Sequence, residues 1–268
     1  MIRMHSYAAY IFDLDGTVFL GDSLLPTVAE TIQTLRDQGK RTVFLSNNPT
    51  YTRVAYAQKL TRLGLPTLPE DVINSSTVMV DFLQRTIPGA RLFVVGEPPL
   101  MDDLRVAGFE LVEDAASIEA VIASFDRTFV YRKLQIAFDA IRAGARFFAT
   151  NGDRYCPVPP AYPRGPVGGE PDAAAIIAAI EACTNTRVEA IVGKPSHHMA
   201  EAVLHLLNLP AEACLMTGDR LETDVQMGLQ SGMDAALTLT GATPESALVH
   251  SEIRPTYVIR QLKDLLEV

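Results

Sequence analysis

The sequence predicts an α/β protein built on a doubly wound parallel sheet, and three patterns along the chain support this fold class. Short apolar runs alternate with segments of helical spacing through most of the 268 residues. Glycines close several of the helical segments, as they do at helix C-termini. Polar residues follow directly after several apolar runs. This alternation is typical of parallel βαβ units, in which ligands bind at the carboxyl ends of the strands.

The first part of the chain opens with a buried strand. Ala8 to Asp13 is an apolar run that ends in carboxylates, as a buried strand does. Val28, Ile32 and Leu35 then recur at helical spacing, and Gly39 follows as a stop signal. The remaining predictions in this part are a strand over 41–46, a helix over 51–63 and a strand over 72–75.

The middle of the chain has its own alternation. Strands are predicted over 91–96, 120–125 and 146–150, and helices over 100–107 and 129–142. Arg154 to Pro171 then carries six prolines and three glycines, and such a stretch continues neither a helix nor a central strand. It is long for a connection, which makes it a candidate functional loop. Asp172 starts an alanine-rich helix that runs to about Cys183.

The final third returns to the opening pattern. Strands are predicted over 190–193, 214–218, 236–240 and 257–259, with helices over 198–207 and 224–230. A closing amphipathic segment follows them.

Composition excludes several classes of protein. The 23 basic and 32 acidic side chains give a net charge of −9, without the basic cluster that non-specific nucleic-acid binding requires. The three cysteines show no CxxC spacing, so neither a disulfide framework nor a zinc site is indicated. No run of 18 uncharged apolar residues suggests a membrane span, and the first residues lack the apolar region of a signal peptide. We therefore expect a cytoplasmic protein with no nucleic-acid or membrane partner; a homo-oligomer is compatible with the sequence.

The first chemical motif is the pair Asp13 and Asp15, at the point where an apolar strand gives way to a Gly-Thr turn. Carboxylates this close repel each other when both are ionised, and a divalent cation or a shared proton relieves the repulsion. Asp-Gly alone is common in ordinary turns. An apolar strand that ends in Asp-x-Asp-Gly-Thr is much rarer, so this pair is a candidate catalytic site.

A second acidic site follows the predicted strand at 214–218. Asp219 comes directly after Gly218, and Asp224 stands five residues later. Asp219 would complete a hard oxygen shell for Mg²⁺, which prefers one or two carboxylates together with water and phosphate oxygens. Taken alone, Asp224 is better explained as an acidic residue at a helix N-terminus.

Two further strand ends carry groups suited to an anion. Lys194 follows Val192-Gly193, and Ser46, Asn47 and Asn48 end the strand at 41–46. Phosphoryl transfer needs positive charge beyond a metal ion, and hydroxyl, amide and backbone N–H groups at a helix start bind phosphate oxygens. A solvated lysine and an ordinary polar loop are the alternative interpretations.

Together the four motifs resemble the haloacid dehalogenase superfamily of phosphohydrolases, over nearly the whole chain. They are Asp-x-Asp-Gly-Thr, Ser-Asn-Asn, Lys-Pro and Gly-Asp-x-x-x-Thr-Asp, in that order. The long α/β insertion between the second and third motifs is similar to that of the NagD-like subclass IIA with a C2-type cap. Among these, the chain most resembles the sugar phosphatases encoded with arabinose operons. The resemblance implies a core formed by residues 1–78 and 184–268 and an inserted cap at 79–183.

The resemblance also implies roles for the motif residues. Asp13 would attack phosphorus and form an aspartyl-phosphate, and Asp15 would act as acid and then as base. Mg²⁺ would be held by Asp13, Asp219 and the backbone carbonyl of Asp15, with support from Asp224. The phosphoryl group would be held by Ser46, Asn47, Asn48 and Lys194. The acid at position 15 favours a phosphate monoester hydrolase over the related ATPases and dehalogenases.

The cap loop is expected to choose the substrate, through Arg154, Tyr155 and Cys156. Sugar phosphates are the leading class. Phosphoglycolate, pyridoxal phosphate and nucleoside monophosphates are alternatives, although pyridoxal phosphatase-like proteins have His where this chain has Cys156. Two alternatives of another class are a phosphomutase or phosphotransferase and a non-catalytic phosphosugar-binding protein. Retention of all four motifs argues against the last.

Overall fold

The computed structural model describes residues 5–157 and 169–266. The predicted functional loop Arg154–Pro171 therefore lies partly outside the described residues, at 158–168. The predicted α/β class is confirmed, because the chain forms two parallel sheets with helices packed on them. In the described part of the chain, no helix is long and apolar enough to cross a membrane.

The first elements contribute strands to the larger sheet and to a separate antiparallel hairpin. They are β1 (Ala9–Asp13), β2 (Phe19–Leu20), β3 (Ser23–Leu24), α1 (Val28–Asp37), β4 (Arg41–Ser46), α2 (Arg53–Arg62), β5 (Val72–Asn74) and α3 (Ser75–Thr86). Strands β1, β4 and β5 belong to the larger sheet, and β2 pairs with β3 in the hairpin.

The middle elements build a second α/β unit, which we call the cap. They are β6 (Arg91–Val95), α4 (Pro98–Val106), β7 (Glu110–Leu111), β8 (Ala120–Ala123), α5 (Tyr131–Arg142), β9 (Arg146–Ala149), β10 (Tyr155–Pro157), β11 (Gly169–Pro171), α6 (Ala173–Thr184) and β12 (Ala190–Ile191).

The last elements complete the larger sheet. They are α7 (His197–Leu207), β13 (Cys214–Gly218), α8 (Gln226–Gln230), β14 (Asp234–Thr238), α9 (Ala247–His250) and β15 (Tyr257–Ile259). A single wide turn of π-helix, Leu221–Val225, leads into α8.

The larger sheet has six parallel strands in the order β15-β14-β13-β1-β4-β5. Strand β1 lies in its centre, paired with β13 on one side and with β4 on the other. Its side chains alternate between two apolar clusters. Ile11 packs in the cluster that contains Met216, and Phe12 packs in the cluster that contains Phe44. Because helices cover both faces, the strand is apolar throughout until its carboxylate end.

The cap is built on five parallel strands in the order β12-β9-β8-β6-β7. Strand β12 pairs with β9, so the cap sheet reaches Ile191, beyond the cap boundary predicted at residue 183. The bounds of the domains stay a prediction. A short antiparallel hairpin, β10 with β11, projects from the cap within the proline-rich segment.

Helix α3 was not among the predicted helices. Its apolar residues do follow helical spacing, since Val78, Met79, Phe82 and Leu83 are all buried. The polar start of the segment hides this pattern. There the Asn74 side chain accepts a hydrogen bond from the backbone N–H of Thr77 and so caps the helix.

Candidate active site

Three of the four motifs meet at one edge of the larger sheet. Asp13 ends β1, Ser46 ends β4 and Asp219 follows β13, and these strands are neighbours. The carboxyl ends of neighbouring parallel strands lie side by side, which brings the three residues together. Lys194 arrives from the cap side, three residues after β12 ends.

The four motifs line one cavity between the core and the cap. Its described lining consists of Asp13, Asp15, Ser46, Asn47, Asn48, Asp153, Tyr155, Cys156, Pro157, Asp172, Lys194, Asp219, Arg220, Thr223 and Asp224. Every predicted site residue except Arg154 is in this set. Arg154 lines a wider neighbouring cavity of about 670 Å³.

Lys194 forms the electrostatic centre of the site. Its ammonium Nζ lies 2.5 Å from Asp13 Oδ1 and 2.6 Å from Asp224 Oδ1, and its side chain is 3% exposed. Burial alone would lower the pKa of Lys194, but the two carboxylates raise it, so the lysine stays protonated. Burial raises the pKa of Asp13, and the Lys194 ammonium acts against that rise.

Asp224 is held on both oxygens. Its Oδ1 accepts from Lys194, and its Oδ2 accepts from the backbone N–H of Arg220 at 3.1 Å. Gly218 makes room for it, because a Cβ at that position would lie 2.2 Å from the Asp224 Cβ. The Asp224 carboxylate therefore holds Lys194 in place, besides being an acidic residue near a helix start.

The Asp219 carboxylate lies in a space bounded by two glycines. A Cβ on Gly241 would lie 2.0 Å from its Oδ2, and a Cβ on Gly16 would lie 2.5 Å from the same atom. The backbone N–H of Ala242 donates to this oxygen at 2.5 Å. Burial, together with the Asp224 charge, raises the pKa of Asp219 to about 7.

The residues present fit a divalent cation. Asp13, Asp219 and Asp224 are all buried, and each offers an oxygen within 4.8 Å of the others. Three buried carboxylates repel one another, and a cation among them would offset the repulsion. The carboxylate of Asp15 is not part of this cluster, and the contribution of its backbone carbonyl stays a prediction.

Asp15 is suited to carry a proton. Its side chain lines the cavity beside the cluster. Burial raises the pKa of Asp15, against a lowering effect from Lys59 on α2. A raised pKa favours the protonated form of a carboxyl group, which is the form that can donate a proton.

The Ser-Asn-Asn motif is extensively hydrogen-bonded. Ser46 Oγ lies 3.1 Å from the Tyr56 hydroxyl and accepts from the Asn48 backbone N–H. The Asn47 side chain clamps the backbone of Lys194, accepting from its N–H at 2.7 Å and donating to its carbonyl at 3.1 Å. The motif thus fixes the position of Lys194, besides lining the cavity.

The cap hairpin closes over the site through contacts with the core. Asn48 Nδ2 lies 3.6 Å from Cys156 Sγ, and the Arg220 guanidinium donates to the Tyr155 carbonyl at 3.1 Å. The same guanidinium stacks over the Tyr155 ring, 4.8 Å from its centre. Tyr155 and Cys156 therefore contact the core, although Tyr155 is also exposed and lines the wider cavity together with Arg154.

Sequence reasoning missed four charged or polar residues of the cavity. Arg220 and Thr223 lie within the fourth motif, beside the residues that were singled out. Asp153 ends the run Thr150-Asn151-Gly152-Asp153, directly before the predicted cap residues. Asp172 was assigned only the start of a helix, and nothing in the local sequence shows that this helix end faces the catalytic carboxylates.

Comparison with known families agrees with this geometry. Residues 10–110 match the model of haloacid dehalogenase-like hydrolases, and residues 191–265 match a second model of HAD-hydrolase-like proteins. The chain belongs to the haloacid dehalogenase-like hydrolases, in the NagD-like class IIA predicted from its motifs. It is a phosphoric monoester hydrolase.

Individual relatives cover nearly the whole chain. The sugar-phosphatase AraL of Bacillus subtilis is 37% identical over 98% of this chain and 93% of its own length. Phosphoglycolate phosphatase 1A of Arabidopsis thaliana is 32% identical over 97% of this chain and 77% of its own length. The crystal structure of 4-nitrophenylphosphatase from Thermotoga maritima superposes with a TM-score of 0.90 at 33% identity, covering 98% of this chain and 97% of that one.

Proposed function

We propose that this phosphatase hydrolyses small sugar phosphates with Mg²⁺, through an aspartyl-phosphate on Asp13. The observation that carries the proposal is the buried contact of Asp13 with Lys194, inside a cluster completed by Asp219 and Asp224. Asp15 lines the same cavity. A nucleophile, a cation, a proton carrier and hard metal ligands are thus present in one small space.

Asp13 is the proposed nucleophile. A carboxylate oxygen of Asp13 would attack phosphorus while the bond from phosphorus to the leaving alcohol oxygen breaks, which transfers the phosphoryl group to the carboxylate. The contact with Lys194 fixes the carboxylate and acts against the rise in its pKa that burial causes. The ammonium would also offset charge on the phosphoryl oxygens in the transition state.

Asp15 is the proposed proton carrier. In the first step it would donate its proton to the departing alcohol oxygen. In the second step it would take a proton from the water that attacks the aspartyl-phosphate, which releases inorganic phosphate and frees Asp13. Its raised pKa fits the protonated form that the first step requires.

Mg²⁺ is the proposed metal, held by carboxylate oxygens of Asp13 and Asp219 and by the backbone carbonyl of Asp15. When bound, it would supply positive charge to the phosphoryl oxygens and reduce repulsion between nucleophile and substrate. Asp224 would orient Lys194 and the Arg220 backbone beside it. Ser46, Asn47 and Asn48 complete the proposed phosphate side of the cavity.

Sugar phosphates are the proposed substrate class because of the relatives and the cavity. The relative that shares 37% identity is named a sugar-phosphatase. The small catalytic cavity shares Asp153, Tyr155 and Arg220 with the neighbouring cavity of about 670 Å³, so a sugar leaving group would have room to extend from the catalytic residues. The cytoplasmic location suggested by composition stays a prediction.

The test is phosphate release from a panel of esters with Mg²⁺ present. The panel contains small sugar phosphates, phosphoglycolate, pyridoxal phosphate, nucleoside monophosphates and 4-nitrophenyl phosphate, without any acceptor sugar. We expect wild-type turnover of sugar phosphates and no measurable turnover by Asp13→Asn. Asp37→Asn is the matched control, because Asp37 ends α1 on the surface and, among the described residues, its carboxylate hydrogen-bonds with Gln33 alone. Activity that survives in Asp13→Asn rejects the nucleophile. If wild type releases no phosphate but consumes the ester once an acceptor sugar is added, the enzyme is a phosphotransferase.

A further inference from the structure

The cap contributes a second pair of carboxylates to the catalytic cavity. Asp153 and Asp172 both line it, apart from the metal cluster. The Asn151 side-chain amide donates to both, at 3.1 Å to Asp153 Oδ2 and at 3.0 Å to Asp172 Oδ1. Asn151 is fully buried and Asp172 is 3% exposed. The three side chains therefore form one fixed group on the cap side of the cavity.

Asp172 uses only one of its two oxygens within the protein. Oδ1 accepts from Asn151 and from the backbone N–H of Ala173, where it caps α6. Among residues 5–157 and 169–266, no donor lies within hydrogen-bond distance of Oδ2. An ionised carboxylate that lines a cavity can accept a hydrogen bond from a molecule bound there. Because Asp172 lines the catalytic cavity, a hydroxyl group of the leaving group can supply that hydrogen bond.

Arg220 offsets only part of the negative charge of this pair, since one guanidinium acts on both Asp153 and Asp172. Within the described lining of the cavity, the cationic side chains are Lys194 and Arg220. Lys194 is engaged by Asp13 and Asp224. Arg220 stacks on the cap hairpin and donates to a backbone carbonyl there. The cap side of the cavity is therefore acidic, whereas the phosphoryl side holds the lysine.

We propose that Asp172, held by Asn151 beside Asp153, selects neutral hydroxyl-bearing leaving groups and rejects anionic ones. An ionised carboxylate only accepts hydrogen bonds, so it binds the hydroxyl groups of a sugar or polyol. A carboxylate or a second phosphate on the leaving group would meet like charge and supply no donor. This inference rests on the proposed sugar-phosphate function and narrows its substrate class to neutral polyol and sugar monophosphates.

Two esters that differ in one group test the selection. Glycerol 3-phosphate carries a terminal CH₂OH where 3-phosphoglycerate carries a carboxylate. The ratio of their kcat/KM values is measured for wild type and Asp172→Asn at about pH 8. Burial and the Asp153 charge raise the pKa of Asp172 to about 7 against the hydrogen bond from Asn151, so the group is ionised there. Asparagine keeps an oxygen for the helix cap while removing the charge.

We expect wild type to prefer glycerol 3-phosphate at least about tenfold, as like-charge rejection predicts. Asp172→Asn should reduce this preference at least about tenfold, by raising kcat/KM for 3-phosphoglycerate. The control is Asp139→Asn, the same change on the exposed face of α5, where within the described part of the chain the carboxylate hydrogen-bonds with Gln135 alone. It should leave the ratio unchanged.

Three outcomes overturn the inference: an unchanged ratio in Asp172→Asn, an equal loss of kcat/KM for both esters, and a wild-type preference for 3-phosphoglycerate. Turnover of glycerol 3-phosphate by wild type reports separately on the proposed function. If that turnover is absent while 4-nitrophenyl phosphate is hydrolysed, the sugar-phosphate function fails and this inference with it. If wild type hydrolyses glycerol 3-phosphate but the ratio of kcat/KM values is the same in Asp172→Asn, this inference is overturned and the proposed function stands.

Discussion

Lys194 and Asp13 lie 181 positions apart in the sequence, yet their side chains form a buried ion pair of 2.5 Å. The pair joins the end of the first strand of the core to the loop by which the chain leaves the cap. The lysine also donates a hydrogen bond to Asp224 at 2.6 Å, so one ammonium offsets the charge of a carboxylate from each of two motifs. The pair therefore links the metal cluster to the boundary between core and cap.

Replacing Lys194 by methionine removes this charge while keeping most of the side-chain volume. We expect kcat for 4-nitrophenyl phosphate, with Mg²⁺ in excess, to fall about 100- to 1000-fold, as for other preorganised groups that stabilise transition-state charge. The physical reason is that phosphoryl oxygens and Asp13 would lose their shared cation. Steady-state kinetics measures the change, and circular dichroism checks the fold.

The matched control for that change is Lys40→Met. Lys40 lies on the surface, where its ammonium donates to Ser6 Oγ. The kcat of the Lys40→Met enzyme should stay within about twofold of wild type, as for surface substitutions away from a site. A Lys194→Met enzyme with kcat within tenfold of wild type would contradict the electrostatic role given to the lysine.

The fold and the phosphoryl side of the site follow from local sequence patterns. Asp13, Ser46 and Asp219 each follow an apolar run, and the parallel sheet then brings their strand ends together. The cap side does not follow in this way. Asp172 reaches the cavity only because α6 packs against the cap sheet and its first turn faces the core. Arg220 contacts strand β10 in the same way, through packing between residues far apart in the sequence. Such contacts have no periodic signature in the sequence.

Gly241→Ala should disrupt the position of Asp219. A Cβ at this site would lie 2.0 Å from Asp219 Oδ2 and 2.6 Å from its Cγ, so the carboxylate has to move. We expect kcat/KM to fall at least about 100-fold, because displacements of about 1 Å have this effect in preorganised sites. Gly152→Ala is the control, since its Cβ would meet only Ile191 Cδ1, at 3.6 Å. Equal activity in the two variants would contradict the need for space beside Asp219.

Chelation should abolish turnover, and added Mg²⁺ should restore it. A second readout does not depend on activity. About 10 mM Mg²⁺ should raise the Tm of wild type, because a ligand that binds only the folded state stabilises it. It should have little effect on Asp219→Asn, which lacks one of the three clustered carboxylates. Turnover that is indifferent to a chelator, or equal shifts of Tm in both proteins, would reject the metal assignment.

The pH dependence of stability offers a test of Asp172 that needs no substrate. Burial, together with Asp153, raises the pKa of Asp172 from 3.8 to about 7 in the folded protein, against hydrogen bonds from Asn151 and Ala173 and the charge of Arg220. Between these two values the folded state binds more protons than the unfolded state. The free energy of unfolding contributed by this group therefore falls as the pH rises from about 4 to about 7, and is constant above that range.

Asp172→Asn cannot ionise and should lack this decline. The free energy of unfolding of the variant, relative to wild type, should increase by about 2 to 3 kcal/mol between about pH 5 and pH 8, at about 1.4 kcal/mol per unit over the titrating range. Urea unfolding of both proteins across this range measures it. Asp139→Asn, which alters an exposed carboxylate, should run parallel to wild type. If Asp172→Asn also runs parallel to wild type, Asp172 is not the buried, proton-binding carboxyl that this geometry describes, because a group ionised alike in both states adds no pH dependence to folding.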